Sequence, residues 1–109
     1  MFFISTNVRI FLYNRYMDMR NSFEGLSTAI EKTFSEKIVS GSFFVFFNKT
    51  RDKIKILYWD IDGLAIWYKR LEKGKFLKDS SKTELSRKEL VMILEGITPK
   101  KIQKRYSSF

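Results

Sequence analysis

The five residues Phe43-Phe44-Val45-Phe46-Phe47 are apolar at every position. A strand turns successive side chains to opposite faces, so such a run is stable only where both faces are covered. It is therefore expected to be a central strand, with a layer of structure above and another below. Downstream, Asn48 to Asp52 is a polar turn, after which Ile54, Ile56 and Tyr58 alternate with Lys53, Lys55, Leu57 and Trp59. That period of two predicts a hairpin. Asp60-Ile61-Asp62-Gly63 makes the next turn, with aspartate accepting from backbone N–H groups and Gly63 able to take positive φ. Leu64 to Leu71 continues as a strand, and Glu72-Lys73-Gly74-Lys75 turns onto Phe76-Leu77-Lys78. Residues 43–78 thus predict a four-stranded antiparallel meander.

Helical periodicity flanks this meander. Upstream, Phe23, Leu26, Ile30 and Phe34 form one apolar stripe, which predicts a helix over 22–35 capped by Asn21 or Ser22. Gly25 disfavours that helix, so packing must hold it. Before it, Val8-Arg9-Ile10-Phe11-Leu12-Tyr13 reads as a strand. Downstream, 79–83 is a polar linker, and Ser86-Arg87-Lys88-Glu89 has the form of a capping box. The helix it starts carries Leu90, Ile93, Leu94 and Ile97 on one face, and Gly96 stands where a left-handed cap would end it. The expected architecture is α+β: a mostly antiparallel sheet of about five strands and two packed helices. Residues 1–98 form one domain, and 99–109 a basic C-terminal tail.

With 109 residues the chain has room for about one domain. A content of 44% hydrophobic and 17% aromatic residues argues for a packed core rather than disorder. With no cysteine and no histidine, disulfides, thiol nucleophiles, the usual zinc sites and Ser-His or Cys-His catalysis are excluded. No cofactor motif is present. The apolar start Met1 to Ile4 is too short for a signal-peptide core, and no run approaches the ~18 residues that span a bilayer. A cytoplasmic protein with no membrane partner is expected.

Lys+Arg 21 against Asp+Glu 12 leaves a formal net charge of +9, which points to an acidic partner. The cations alternate with aromatics on adjoining hairpins: Lys49, Arg51, Lys53 and Lys55 on one, Lys69, Arg70, Lys73, Lys75 and Lys78 on the next. Arg51, Lys53, Lys55, Lys69, Arg70 and Lys75 are candidate phosphate contacts, and Tyr58 and Trp67 candidate stacking groups for an unpaired base. The plainer alternative is that the lysines solvate a sheet face while Trp59 and Trp67 fill the core. Arg20 is a further candidate contact, or else forms a buried or half-buried ion pair with Asp18 that fixes the entry to the first helix. Asp60 and Asp62, joined by Asp18 and Glu72, could in principle gather a divalent ion, but turns recruit aspartate for backbone reasons. No metal site and no catalytic residue are assigned. The stripe Leu90, Ile93, Leu94 and Ile97 is expected to pack on its own sheet, the alternative being a partner's surface.

Ordered strings carry a resemblance. Residues 17–26 (Met-Asp-Met-Arg-Asn-Ser-Phe-Glu-Gly-Leu) and 44–60 (Phe-Val-Phe-Phe-Asn-Lys-Thr-Arg-Asp-Lys-Ile-Lys-Ile-Leu-Tyr-Trp-Asp) resemble the small TnpB-type accessory protein of the IS66 group of bacterial insertion sequences. The RNA-guided nucleases that share the TnpB name are unrelated to this resemblance. It continues through Asp62-Gly63-Leu64, residues 67–76 and Leu94-Glu95-Gly96-Ile97, and departs at Asn21, Glu24 and Phe47. It implies a product encoded beside a DDE-type transposase and needed for efficient transposition, without enzymatic activity of its own. DNA and the transposase are the expected partners. The competing expectation is an interaction module that binds the transposase without touching DNA.

Overall fold

The computed structural model describes residues 7–77 and 82–96. The 99–109 segment, Lys78 and Ile97 lie outside them. In chain order come β1 (Ile10–Tyr16), α1 (Phe23–Thr33), a 3-10 turn at Ile38–Ser40, β2 (Phe43–Phe47), β3 (Lys53–Asp60), β4 (Gly63–Arg70), β5 (Glu84–Leu85) and α2 (Arg87–Glu95). The sheet has the order β4-β3-β2-β1-β5. β2 is the central strand, and all five of its residues are buried.

Alternation along β2 divides the interior into two cores, one on each face of the sheet. Phe43, Val45 and Phe47 join Ile10, Leu12, Ile54, Ile56, Leu90, Ile93 and Leu94 beneath α2. Phe44 and Phe46 join Phe11, Leu57, Leu26 and Ile30 beneath α1. Each fully buried phenylalanine contributes about 1.5–3 kcal/mol of transfer free energy, and Phe44, Phe46 and Phe47 are all at zero exposure. The apolar stripe of α2 is thus turned inward onto its own sheet.

The meander has three strands rather than four. Residues 71–77 form no strand; they cross the end of the sheet, where Leu71 N donates to Asp52 O at 2.7 Å and Phe76 N to Arg51 O at 2.7 Å. Phe76 packs its ring 5.8 Å from that of Phe47 and closes the α2-side core. The fifth strand is instead Glu84–Leu85, which lies antiparallel to β1. β1 itself pairs with β2 in parallel, α1 serving as the crossover, and its register shifts between Leu12 and Tyr16. It also runs three residues beyond the expected Tyr13.

Local signals are honoured at α2 and modified at α1. Ser86 Oγ accepts from Glu89 N at 3.0 Å while Ser86 N donates to Glu89 Oε1 at 2.9 Å, and Gly96 ends the helix at φ 76°. At α1 the N-cap is Ser22, but no side chain caps the helix. Asn21 instead turns back, donating Nδ2 to Asp18 O at 3.2 Å and to Met17 Sδ at 3.2 Å. A Cβ on Gly25 would lie 2.8 Å from Asn21 Cγ and closer still to its Oδ1, so glycine in this first turn makes room for Asn21. In the β3–β4 turn the residue with positive φ is Ile61, at 56°, and not Gly63.

Candidate nucleic-acid interface

The register of β3 against β4 sorts the candidate residues by face. Lys53 stands opposite Arg70, Lys55 opposite Tyr68, and Leu57 opposite Ile66, all on the α1 side with the Leu57 core. Ile54 stands opposite Lys69, Ile56 opposite Trp67 and Tyr58 opposite Ala65, all on the α2 side. The nine candidate positions therefore do not form one continuous surface. Tyr58 and Trp67 are half-buried against the α2-side core, with the Tyr58 ring 4.9 Å from Phe43. Lys69 and Lys75 are exposed, Lys69 on the α2 side of the sheet and Lys75 in the crossing segment 71–77.

Lys55 is not available to a phosphate. It is 7% exposed, and its ammonium donates to Met19 O at 2.8 Å and Asn21 O at 2.7 Å while lying 4.7 Å from the Tyr68 ring centroid. Burial lowers its pKa from the ordinary lysine value. The two carbonyls belong to the chain entering α1, so Lys55 ties that entry to the middle of the sheet. Arg70 is exposed but engaged, donating Nη2 to Glu72 Oε1 at 3.0 Å.

On the α1 side an open groove of about 590 Å³ is lined by Tyr16, Asp18, Arg20, Lys49, Lys53 and Tyr68, with Met17, Met19, Asn48 and Thr50 between them. Three chain segments converge here: the end of β1 with the turn into α1, the β2–β3 loop with the start of β3, and the end of β4. Tyr16 is 64% and Tyr68 49% exposed, high values for rings that normally bury their bodies. Lys49 Nζ lies 5.7 Å from the Tyr16 ring centroid. Among the described residues, no carboxylate pairs with Lys49 or Lys53. The groove thus offers two exposed rings and two lysines outside any salt bridge on one face, Lys53 with the Asp52 charge nearby. Tyr16 and Tyr68 are absent from the sequence-based set, because only the turn after β1 and the β3–β4 register bring them beside Lys49 and Lys53.

The polar groups around the groove are held in place by the protein itself. Asn48 Nδ2 donates to Asp52 Oδ1 at 2.6 Å, Thr50 Oγ1 donates to the same oxygen at 2.8 Å, and Lys53 N donates to Asn48 Oδ1 at 3.0 Å. These bonds lower the Asp52 pKa, the Asn48 bond foremost. Arg51 is displaced from the groove lining; it sits at the loop corner with φ 56°, and its carbonyl receives the Phe76 amide. Arg20 forms the expected pair with Asp18, but on the surface and not in a buried site: the Arg20 side chain is 91% exposed. Arg20 Nη2 reaches Asp18 Oδ2 at 2.6 Å, and Arg20 N donates to Oδ1 at 2.9 Å. These bonds hold the Asp18 carboxyl down to about 2, the side-chain bond being the larger cause.

The acidic residues do not gather. Asp60 and Asp62 flank the turn at one end of the β3–β4 hairpin, whereas Glu72 lies beyond its other end and Asp18 lines the groove beside Lys53. Among the described residues, no group of three or more acidic side chains is placed to hold a metal ion. No helix among them is long and apolar enough to cross a membrane.

Comparison with known proteins agrees with this chain's sequence strings. Residues 8–104 match the family model described as IS66 Orf2-like protein. Two relatives come from Sinorhizobium fredii. Uncharacterized protein y4hO is 28% identical over 94 residues, covering 84% of this chain and 82% of the relative. Uncharacterized protein y4jC is 27% identical over 105 residues, covering 93% and 89%. No solved structure matches.

Proposed function

The chain belongs to the IS66 Orf2-like family, which gives it an accessory role in insertion-sequence transposition, and from that premise we propose that it is a non-enzymatic protein that binds nucleic acid. The observation that carries this reading is the groove in which exposed Tyr16 and Tyr68 stand beside Lys49 and Lys53, neither of which is in a salt bridge among the described residues. Lysines neutralise backbone phosphates, and each one engaged releases condensed counterions. Exposed tyrosine rings stack on unpaired bases without demanding a particular sequence. Lys53 and Arg20 carry over from the sequence-based set as direct contacts, with Arg70 at the rim once it leaves Glu72. Tyr58, Trp67, Lys69, Arg51 and Lys75 form at most a second area of contact. In this role the protein works in the cytoplasm beside a DDE-type transposase, holding DNA that the transposase acts on.

Fluorescence anisotropy of labelled single-stranded and duplex DNA at several salt concentrations tests the reading. The expected result is binding that weakens steeply with salt, with a Lys49→Glu/Lys53→Glu variant of unchanged circular dichroism losing most of its affinity. Absence of binding at low salt removes DNA contact. The positive charge then serves an acidic surface of the transposase, the reading in which this chain is an interaction module alone.

A further inference from the structure

The two edges of the sheet differ in length. β5 closes one with two residues, whereas β4 closes the other with eight. Leu71, just past β4, donates its amide toward β3, to Asp52 O at 2.7 Å. Amide direction alternates along a strand, so the amides and carbonyls of Leu64, Ile66, Tyr68 and Arg70 point away from β3. No strand among the described residues meets them. Residues 63–67 are half-buried. A long open edge is a template for another strand.

We propose that β4 pairs antiparallel with β4 of a second copy of this chain, about a two-fold axis through Ile66 and perpendicular to the sheet. The residue content of the edge selects this occupant and this register. With Ile66 opposite its own counterpart, Ala65 faces Trp67, Leu64 faces Tyr68, and Asp62 faces Arg70, each contact occurring twice by symmetry. A small side chain thus meets the largest one, an aliphatic meets an aromatic, and the acidic end of each strand meets the basic end of the other. Centring the pair one residue later, on Trp67, sets Asp62 against Glu72 and ring against ring. Asp62 and Arg70 are both exposed, and Arg70 pairs on the surface with Glu72, from which it can turn to a partner. The two-fold axis also keeps both grooves on the same side of a continuous ten-stranded sheet, and dimerisation does not depend on the nucleic-acid reading; in the dimer Arg70 serves the second copy and not the rim of the groove.

Sedimentation equilibrium of the full chain over a range of concentrations tests the proposal. A monomer–dimer equilibrium is expected, with Asp62→Arg and Arg70→Asp each raising the dissociation constant about tenfold, since each reversal turns two symmetric attractions into repulsions. The Asp62→Arg/Arg70→Asp double variant should recover the wild-type constant. Because the chain has no cysteine, a Lys69→Cys variant accepts one spin label per copy. In the proposed register the two labelled backbone positions lie about 20 Å apart, six residues along the strand. A monomer at every concentration overturns the proposal, as does a dimer indifferent to both reversals or with label separations far from this value.

Discussion

The buried ammonium of Lys55 donates to the carbonyl of Met19, 36 residues earlier in the chain, at 2.8 Å. With its second bond, to Asn21 O, it satisfies two backbone acceptors that α1 itself cannot reach, because they precede the helix. The same side chain supports the Tyr68 ring. One residue of β3 therefore couples the helix entry, the sheet and one wall of the groove.

Lys55→Met should lower stability by about 1–3 kcal/mol, the cost of leaving buried carbonyls without a donor. Urea denaturation gives the value. Burial lowers the folded pKa of Lys55, so the unfolded chain binds the extra proton between that lowered value and the ordinary 10.5. The Lys55 contribution to stability therefore rises with pH across this interval. The stability difference between wild type and Lys55→Met should widen there; a constant difference would contradict a buried, charged Lys55.

Asp18 works in the opposite pH range. Its folded value of about 2 lies below the ordinary 3.8, so what it contributes is present above pH 3.8 and is lost as pH falls through 2. Wild type should exceed Asp18→Asn in melting temperature near pH 5, and the two should converge toward pH 2. Carbon-13 NMR titration of the carboxyl should show its pKa return toward 3.8 in Arg20→Gln.

Ile61 is 92% exposed and holds φ at 56°, a region that disfavours β-branched side chains. It gains almost nothing from burial to offset that strain. Ile61→Gly should raise stability by about 1 kcal/mol, within the usual cost of a left-handed residue. Thermal unfolding at neutral pH measures it.

In the groove, Tyr16→Ala and Tyr68→Ala should each weaken single-stranded DNA binding by about 1–3 kcal/mol. Trp67→Phe, on the α2 side of β4, should leave it within twofold. Anisotropy titrations with matched circular dichroism compare the three. Equal losses at Tyr68 and Trp67 would place the contact on both faces.

How legible these features were depends on the range of the interactions behind them. The Ser86–Glu89 box and the Gly96 cap each join residues within one turn, and both stand as read. The two-faced burial of β2 follows from composition alone, because five apolar side chains must alternate. The parallel pairing of β1 with β2 carries no local mark, since the partner of Ile10 is Phe43. β5 carries little more, with Leu85 as its one buried residue. The expected strand at Phe76 failed because a single buried ring can be anchored by a crossing segment as well as by a strand.

Lys53 and Lys55 mark the boundary most sharply. Periodicity assigned them to one strand and one face, and they occupy it. Residue type and spacing make them equivalent, yet Lys53 lines an open groove while Lys55 is buried under the chain that enters α1. Alternation, capping and net charge are properties of neighbouring residues and can be read along the chain. Which lysine meets solvent and which meets a carbonyl depends on a segment more than thirty residues away, and only the packing of that segment over the sheet decides it.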